Sequence, residues 1–113
     1  GLKPCPDTVL ADPGRIFEQW VGIELWKRLQ YIGGKLHHVR SKDGREIDYL
    51  VEREGELIPI EVKWTDRPTP GDARHLVDFM KNQPNARSGY LICRCERAQQ
   101  LGPGITALSW QNL

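Results

Sequence analysis

Cysteine is scarce in this chain and comes in an odd number: Cys5, Cys93 and Cys95 among 113 residues. No even, spaced set exists for a disulfide framework, which excludes the small stapled secreted folds and fits a reducing, cytoplasmic compartment. Long apolar runs are also missing. None approaches the ~20 residues of a membrane-spanning helix, and no basic-then-apolar signal segment occurs. There is no GxxxxGK[ST] loop, so these residues carry no P-loop ATP site of their own. Neither charge sign dominates: 16 basic and 15 acidic residues leave a net +1, which by itself does not announce a nucleic-acid binder. Internal repeats and low-complexity stretches are absent.

What remains is the composition of an ordinary globular domain, 39% hydrophobic and 27% charged. A chain of this length buries roughly two thirds of its unfolded surface, enough for one core. It opens on Gly1 rather than Met, and the expectation is a piece of a larger parent protein.

Residues 1–11 read as a tail interrupted by Pro4, Pro6 and Asp7, and residues 12–113 as the domain. Asp12-Pro13 is a helix start, with Asp as N-cap and Pro at the first helical position. Ile16, Phe17, Trp20, Val21, Leu25 and Leu29 follow near 3.6-residue spacing, and Gly33-Gly34 ends the helix. A short strand is expected at Leu36–Arg40, a turn at Lys42-Asp43-Gly44, and two strands at Arg45–Glu52 and Glu56–Trp64 around Glu54-Gly55. Arg67–Gly71 is a loop. Thr69-Pro70 starts a second helix with Ala73, Leu76, Val77 and Met80 on one side, stopping near Pro84. Gly89–Cys95 is a buried strand. A short polar turn or helix and Gly102-Pro103-Gly104 precede a last strand at Ile105–Trp110. The pattern is α/β, in the order α-β-β-β-α-β with one further strand.

The hairpin carries the chemistry. A two-residue turn at Glu54-Gly55 sets Asp48 opposite Glu61 and Glu46 opposite Lys63. Side chains alternate along strands, so 46, 48, 50 and 52 share a face with 57, 59, 61 and 63. The other face reads Ile47, Tyr49, Val51, Ile58, Ile60, Val62 and Trp64, an apolar surface for a core, and a one-residue slip would mix the two. Asp48–Glu61 falls on a non-hydrogen-bonded pair, where side chains approach more closely. Pro59 falls on the same kind of pair and loses no ladder bond on that side.

Two carboxylates facing each other on a sheet repel. A divalent cation between them explains the choice, and oxygen-only ligands favour Mg²⁺ or Mn²⁺. Lys63, two residues after Glu61, points the same way and can orient water or stabilise charge developing on a phosphate. The competing interpretation is a half-solvated sheet face with Glu46–Lys63 as an incidental ion pair. Glu18 lies within the apolar run of the first helix. A carboxylate there calls for a partner, such as the same cation, unless it reaches solvent.

The stretch Lys27 to Arg45 holds six basic residues (Lys27, Arg28, Lys35, Arg40, Lys42, Arg45) and one acid, Asp43. It is a candidate phosphate track, with Lys35, Arg40, Lys42 and Arg45 as the nucleic-acid contacts. A solvated loop and helix end is the plain alternative. The four tryptophans are candidates for base stacking. Trp20 and Trp64 sit on apolar faces and are expected in the core, while Trp26 and Trp110 stay open. Cys93-Arg94-Cys95 supplies at most half a metal site, because no second pair stands at zinc-finger spacing. His37, His38 and His75 would join it only if folding gathered them. His37 and His38 occupy opposite faces of one strand, so at most one reaches the hairpin site.

Helix Glu18, strand Asp48 and Glu61-Val62-Lys63 together resemble the PD-(D/E)XK nuclease superfamily. Archaeal Holliday-junction resolvases share this Glu…Asp…Glu-x-Lys pattern. A closer resemblance is to a domain at the C-terminal end of certain prokaryotic AAA-type ATPases. It is carried by Gly14-Arg15-Ile16-Phe17-Glu18, Arg40, Lys42-Asp43-Gly44, Glu46-Ile47-Asp48 and Glu61-Val62-Lys63, and covers about residues 13 to 95. Ile47 stands where the superfamily name has Pro. The resemblance implies a restriction-endonuclease-like αβββαβ core with a mixed central sheet flanked by helices. It implies Asp48, Glu61 and the Val62 carbonyl as ligands of Mg²⁺ or Mn²⁺, Lys63 as the catalytic lysine and Glu18 as a helper ligand. DNA is the implied substrate, an ATPase region of the same parent chain the implied partner, and a homodimer a candidate assembly. Two functions follow as expectations: a metal-dependent DNA endonuclease, or a nuclease-like module that binds nucleic acid or a partner and regulates an ATPase.

Overall fold

The computed structural model describes residues 12–38 and 47–113. The expected tail, with Cys5, and the stretch holding Arg40, Lys42-Asp43-Gly44, Arg45 and Glu46 lie outside the described residues.

Helix α1 spans Pro13–Ile32. The Asp12 carboxylate accepts the Arg15 N–H at 3.0 Å, and Pro13 takes the first helical position, where a missing N–H costs nothing. Gly33, at φ 91°, ends the helix and donates its N–H to the Leu29 carbonyl at 2.8 Å. Strands β1 (Lys35–His38), β2 (Tyr49–Arg53) and β3 (Glu56–Val62) form an antiparallel meander. The β2–β3 register is the expected one, with Arg53 opposite Glu56 and Tyr49 opposite Ile60. Glu54 and Gly55 both have positive φ, 55° and 79°, the geometry of a two-residue hairpin turn whose twist matches its strands.

A 3₁₀ turn at Pro70–Ala73 leads into helix α2, Arg74–Asn82. Strand β4 (Gly89–Cys93) returns parallel to β3, and β6 (Ile105–Ser109) lies parallel to β4. Strand β5 (Gln99–Gly102) pairs antiparallel with β6 at the sheet edge. The fold is therefore α/β, with two helices and a six-stranded mixed sheet among the described residues, in the order β1-β2-β3-β4-β6-β5. Strand β5 corrects the expected polar turn or helix. As a short edge strand it contributes only Leu101 to the α2-side layer, too little for its sequence to show an alternation. Among the described residues no helix is long and apolar enough to cross a membrane.

The sheet separates two apolar layers. On the α1 side, Phe17, Val21, Leu25 and Leu29 pack on Tyr49, Val51, Ile60 and Ile92. On the α2 side, Ala73 and Leu76 pack with Leu91, Cys93, Ile105 and Ala107. Val21, Leu76 and Leu91 are fully buried, and each contributes roughly 1.5–3 kcal/mol of transfer free energy. Gly22 allows α1 to approach the sheet. A Cβ there would lie 2.3 Å from the Tyr49 hydroxyl oxygen.

Three expectations about the faces are corrected. Ile47 packs in the α2-side layer with Leu50, not beside Tyr49 and Val51. The Asp48 N–H donates to the Ile60 carbonyl at 3.0 Å, one residue out of ladder register, and this irregularity breaks the alternation between 47 and 49. Trp20 and Trp64, expected in the core, are 37% and 45% exposed. Trp20 lies on the flank of α1 away from Val21 and Leu25, where Ile16, Ile23 and Trp26 are also exposed. Trp64 lies two residues past the end of β3, beyond the reach of the strand's alternation.

Candidate functional site

Glu61 occupies the C-terminal half of β3, opposite Leu91 of β4, and its side chain turns to the α2 side. It is 4% exposed, an unusual burial for a carboxylate. One oxygen is engaged: His75 Nδ1 lies 3.1 Å from Oε1. With Glu61 ionised, the imidazole tautomer protonated on Nδ1 donates to it. The other oxygen, Oε2, is buried without a hydrogen-bond partner. Burial pushes the Glu61 carboxyl above its ordinary range, Asp72 adds to that push, and the His75 hydrogen bond, His75 and Lys63 oppose it.

Local chain chemistry sets His75 in place. The Thr69 N–H and hydroxyl both donate to Asp72 Oδ2, at 2.9 and 3.2 Å. This reciprocal cap fixes the start of the helical segment, and His75 follows beside the fully buried Leu76.

Asp48 ties the hairpin together from the other strand. Its Oδ2 accepts the Val62 N–H at 2.6 Å, a short bond of the charge-assisted kind. Val62 is the residue between Glu61 and Lys63, so Asp48 is fastened to the centre of that triplet. The Lys63 N–H donates to Ile92 on β4 at 2.9 Å, which turns the Val62 peptide towards β2. Lys63 is half-buried, and its charge reaches Glu61.

Glu18 stands at the α1 side. Its carbonyl accepts the Tyr49 hydroxyl at 3.0 Å, and its Oε1 is 3.6 Å from His38 Nε2. Burial first, and then the charges of Glu18 and Asp48, push the Tyr49 hydroxyl up to about 12. Glu18 and Asp48 thus share the surroundings of Tyr49, while Glu61 shares those of His75, Lys63 and Asp72. Among the described residues no group of three His, Cys, Asp or Glu side chains is arranged to hold a metal ion. As expected of opposite strand faces, His38 reaches Glu18 while His37 pairs with Glu52 at 3.1 Å. Lys35 is exposed on β1 at the sheet edge.

The chain belongs to the DUF4143 family. The model of that family, a domain of unknown function, matches residues 13–113. No curated protein matches the chain significantly. The DUF4143 match takes in both described helices, the six described strands and every residue of the site above.

Cys93 and Cys95 of this DUF4143 domain are buried free thiols. Burial pushes the Cys93 thiol up to about 12, so it packs as an apolar side chain and is no nucleophile. His75 was not legible as a partner of Glu61. The cap at Thr69–Asp72 could have placed it on the first turn of α2, but its meeting with β3 depends on tertiary packing. The aromatic cleft described below was hidden for the same reason.

The oxygen donors suit a hard divalent cation on one structural ground. Glu61 Oε2 is a buried acceptor that no donor among the described residues satisfies, and a cation held with the Asp48 carboxylate and Val62 carbonyl would satisfy it.

Proposed function

We propose that this domain is a metal-dependent DNA endonuclease of the PD-(D/E)XK type. The observation that carries the proposal is the bond from the Val62 amide to Asp48, which fastens one carboxylate to the triplet holding Glu61, with its unsatisfied oxygen, and Lys63. Asp48, Glu61 and the Val62 carbonyl would hold Mg²⁺ or Mn²⁺, with Glu18 as a helper at the margin. A bound cation would supply Lewis-acid polarisation of the phosphodiester. Lys63 would orient the attacking water and stabilise negative charge on the phosphate. Lys35, and Arg40, Lys42 and Arg45 of the basic stretch, would contact the DNA backbone. The resemblance to domains at the C-terminal end of AAA-type ATPases supports an ATPase region in the parent chain as partner.

The test is incubation of supercoiled plasmid and a branched DNA with Mn²⁺ or Mg²⁺, beside Asp48→Ala and Lys63→Ala. Nicking by the wild type, lost in both variants while they remain folded, is the expected result. Variants that cleave like the wild type would overturn the site. One observation favours a second reading, a non-catalytic module that binds nucleic acid or a partner and regulates an ATPase. Glu61 is already held by His75 and no three-ligand group is preformed among the described residues. DNA or partner binding indifferent to metal, with no cleavage, would select that reading.

A further inference from the structure

Strands β3, β4 and β6 run parallel, and immediately beyond their carboxyl ends stand Trp64, Arg94 and Trp110. The crevice outside the carboxyl ends of parallel strands is where open α/β sheets bind ligands. Here these three residues, with Ile16, Phe17 and Trp20 of α1, line a cavity of about 350 Å³.

Its walls are built. Phe17 and Trp64 meet edge to face with centroids 5.2 Å apart, and Trp20 and Trp110 do the same at 5.2 Å. The Arg94 guanidinium lies 3.9 Å from the centroid of the Trp64 ring. Backbone bonds hold that pair at the strand ends, because the Arg94 N–H donates to the Thr65 carbonyl at 2.8 Å. Among the described residues Arg94 is the one charged residue of the lining, and its Nε is a buried donor with no acceptor among them. The described lining therefore offers π faces and a cation, and no acid.

That combination selects a flat ring that bears hydrogen-bond acceptors and travels with negative charge. We propose that the cleft binds an unpaired nucleobase of a DNA strand, stacked on the tryptophans, with Arg94 answering its acceptors or the adjoining phosphate. A paired base has both faces covered by its neighbours in the duplex and offers none to the tryptophans, so the site selects single-stranded or locally opened DNA. The inference deepens the nuclease proposal by naming the substrate form. Phe17 directly precedes Glu18 and Trp64 directly follows Lys63, so the cleft lies on the α1 side at the same end of the sheet at which Glu61 turns to the α2 side.

Binding is measured without cleavage, in EDTA, by quenching of tryptophan fluorescence and by anisotropy of a short labelled oligonucleotide. Single-stranded DNA should quench and bind more tightly than the same sequence as duplex, and an abasic strand should lose both effects. Trp64→Ala and Arg94→Gln should each weaken single-strand binding roughly tenfold. Trp64→Phe, which keeps a ring, should retain most of it. Equal affinity for normal and abasic strands would overturn the proposal even if a variant misfolds. So would self-association of the domain that Trp64→Ala abolishes, which would make the cleft a contact between copies. Base-dependent binding with no cleavage in metal would sink the nuclease reading and leave the cleft standing.

Discussion

The Tyr49 hydroxyl crosses from the sheet to helix α1 and donates to the carbonyl of Glu18 at 3.0 Å. Tyr49→Phe removes this bond and should lower stability by about 1 kcal/mol, measured by urea unfolding. Burial of the hydroxyl, with the charges of Glu18 and Asp48 beside it, gives the fold an alkaline limit. The folded hydroxyl titrates at about 12 against an ordinary 10, so its contribution is complete below pH 10 and is lost as pH rises through 12. In an absorbance titration the Tyr49 step should come only well above pH 10, together with unfolding.

Gly22→Ala should destabilise the domain although alanine is the better helix former by about 1 kcal/mol. The added methyl would stand 2.3 Å from the Tyr49 oxygen and 2.6 Å from Cζ. Removing only the hydroxyl does not clear the second contact. Thermal melts should therefore show Gly22→Ala/Tyr49→Phe still impaired, and Gly22→Ala/Tyr49→Leu partly rescued, a non-additivity expected of touching residues.

Glu61→Gln should stabilise the metal-free domain at neutral pH. The native carboxyl is raised, so the native state holds its proton to higher pH than the unfolded chain, whose Glu titrates near ~4.3. Wild-type stability therefore falls as pH rises from the unfolded value through the native one. Melting curves of the two proteins should converge near pH 4 and separate towards pH 7. Addition of Mn²⁺ should raise the wild-type melting temperature and leave Glu61→Gln unchanged. A wild type indifferent to Mn²⁺ would argue against Glu61 as a ligand.

His75→Ala should cost roughly 1–3 kcal/mol, because it leaves both Glu61 oxygens buried without donors. His75→Gln can restore a donor and should recover part of that loss in denaturant titrations. If alanine and glutamine behave alike, the His75 contribution is packing and not the bond to Glu61.

Much of the frame was legible in the chain. Asp12-Pro13 and Gly33 bound α1 where capping chemistry puts them, and Glu54-Gly55 set the β2–β3 register residue for residue. Such signals are local. The switch of Ile47 to the α2 side was not legible, because it depends on the Asp48 backbone shifting against Ile60 while the Asp48 side chain takes the Val62 N–H. An acid read as facing another acid is, in the structure, also a bracket for the backbone of the opposite strand. Trp20 and Trp64 were misjudged because an aromatic residue in an apolar run looks the same whether it fills a core or walls a cleft. The pairing of His75 with Glu61 joins residues 14 positions apart on different elements, which no periodicity encodes.

Helix α1 carries apolar side chains on both flanks: Val21, Leu25 and Leu29 inward, Ile16, Trp20, Ile23 and Trp26 outward. Hydrophobicity alone would hardly resist rolling such a helix about its own axis. The notch at Gly22, filled by the Tyr49 ring, and the bond from that ring to Glu18 act as a keyway, fixing the angle at which the cylinder is seated. That angle decides which residues face outward, and so a missing side chain at one position of α1 governs where Glu18 and the tryptophan wall are presented.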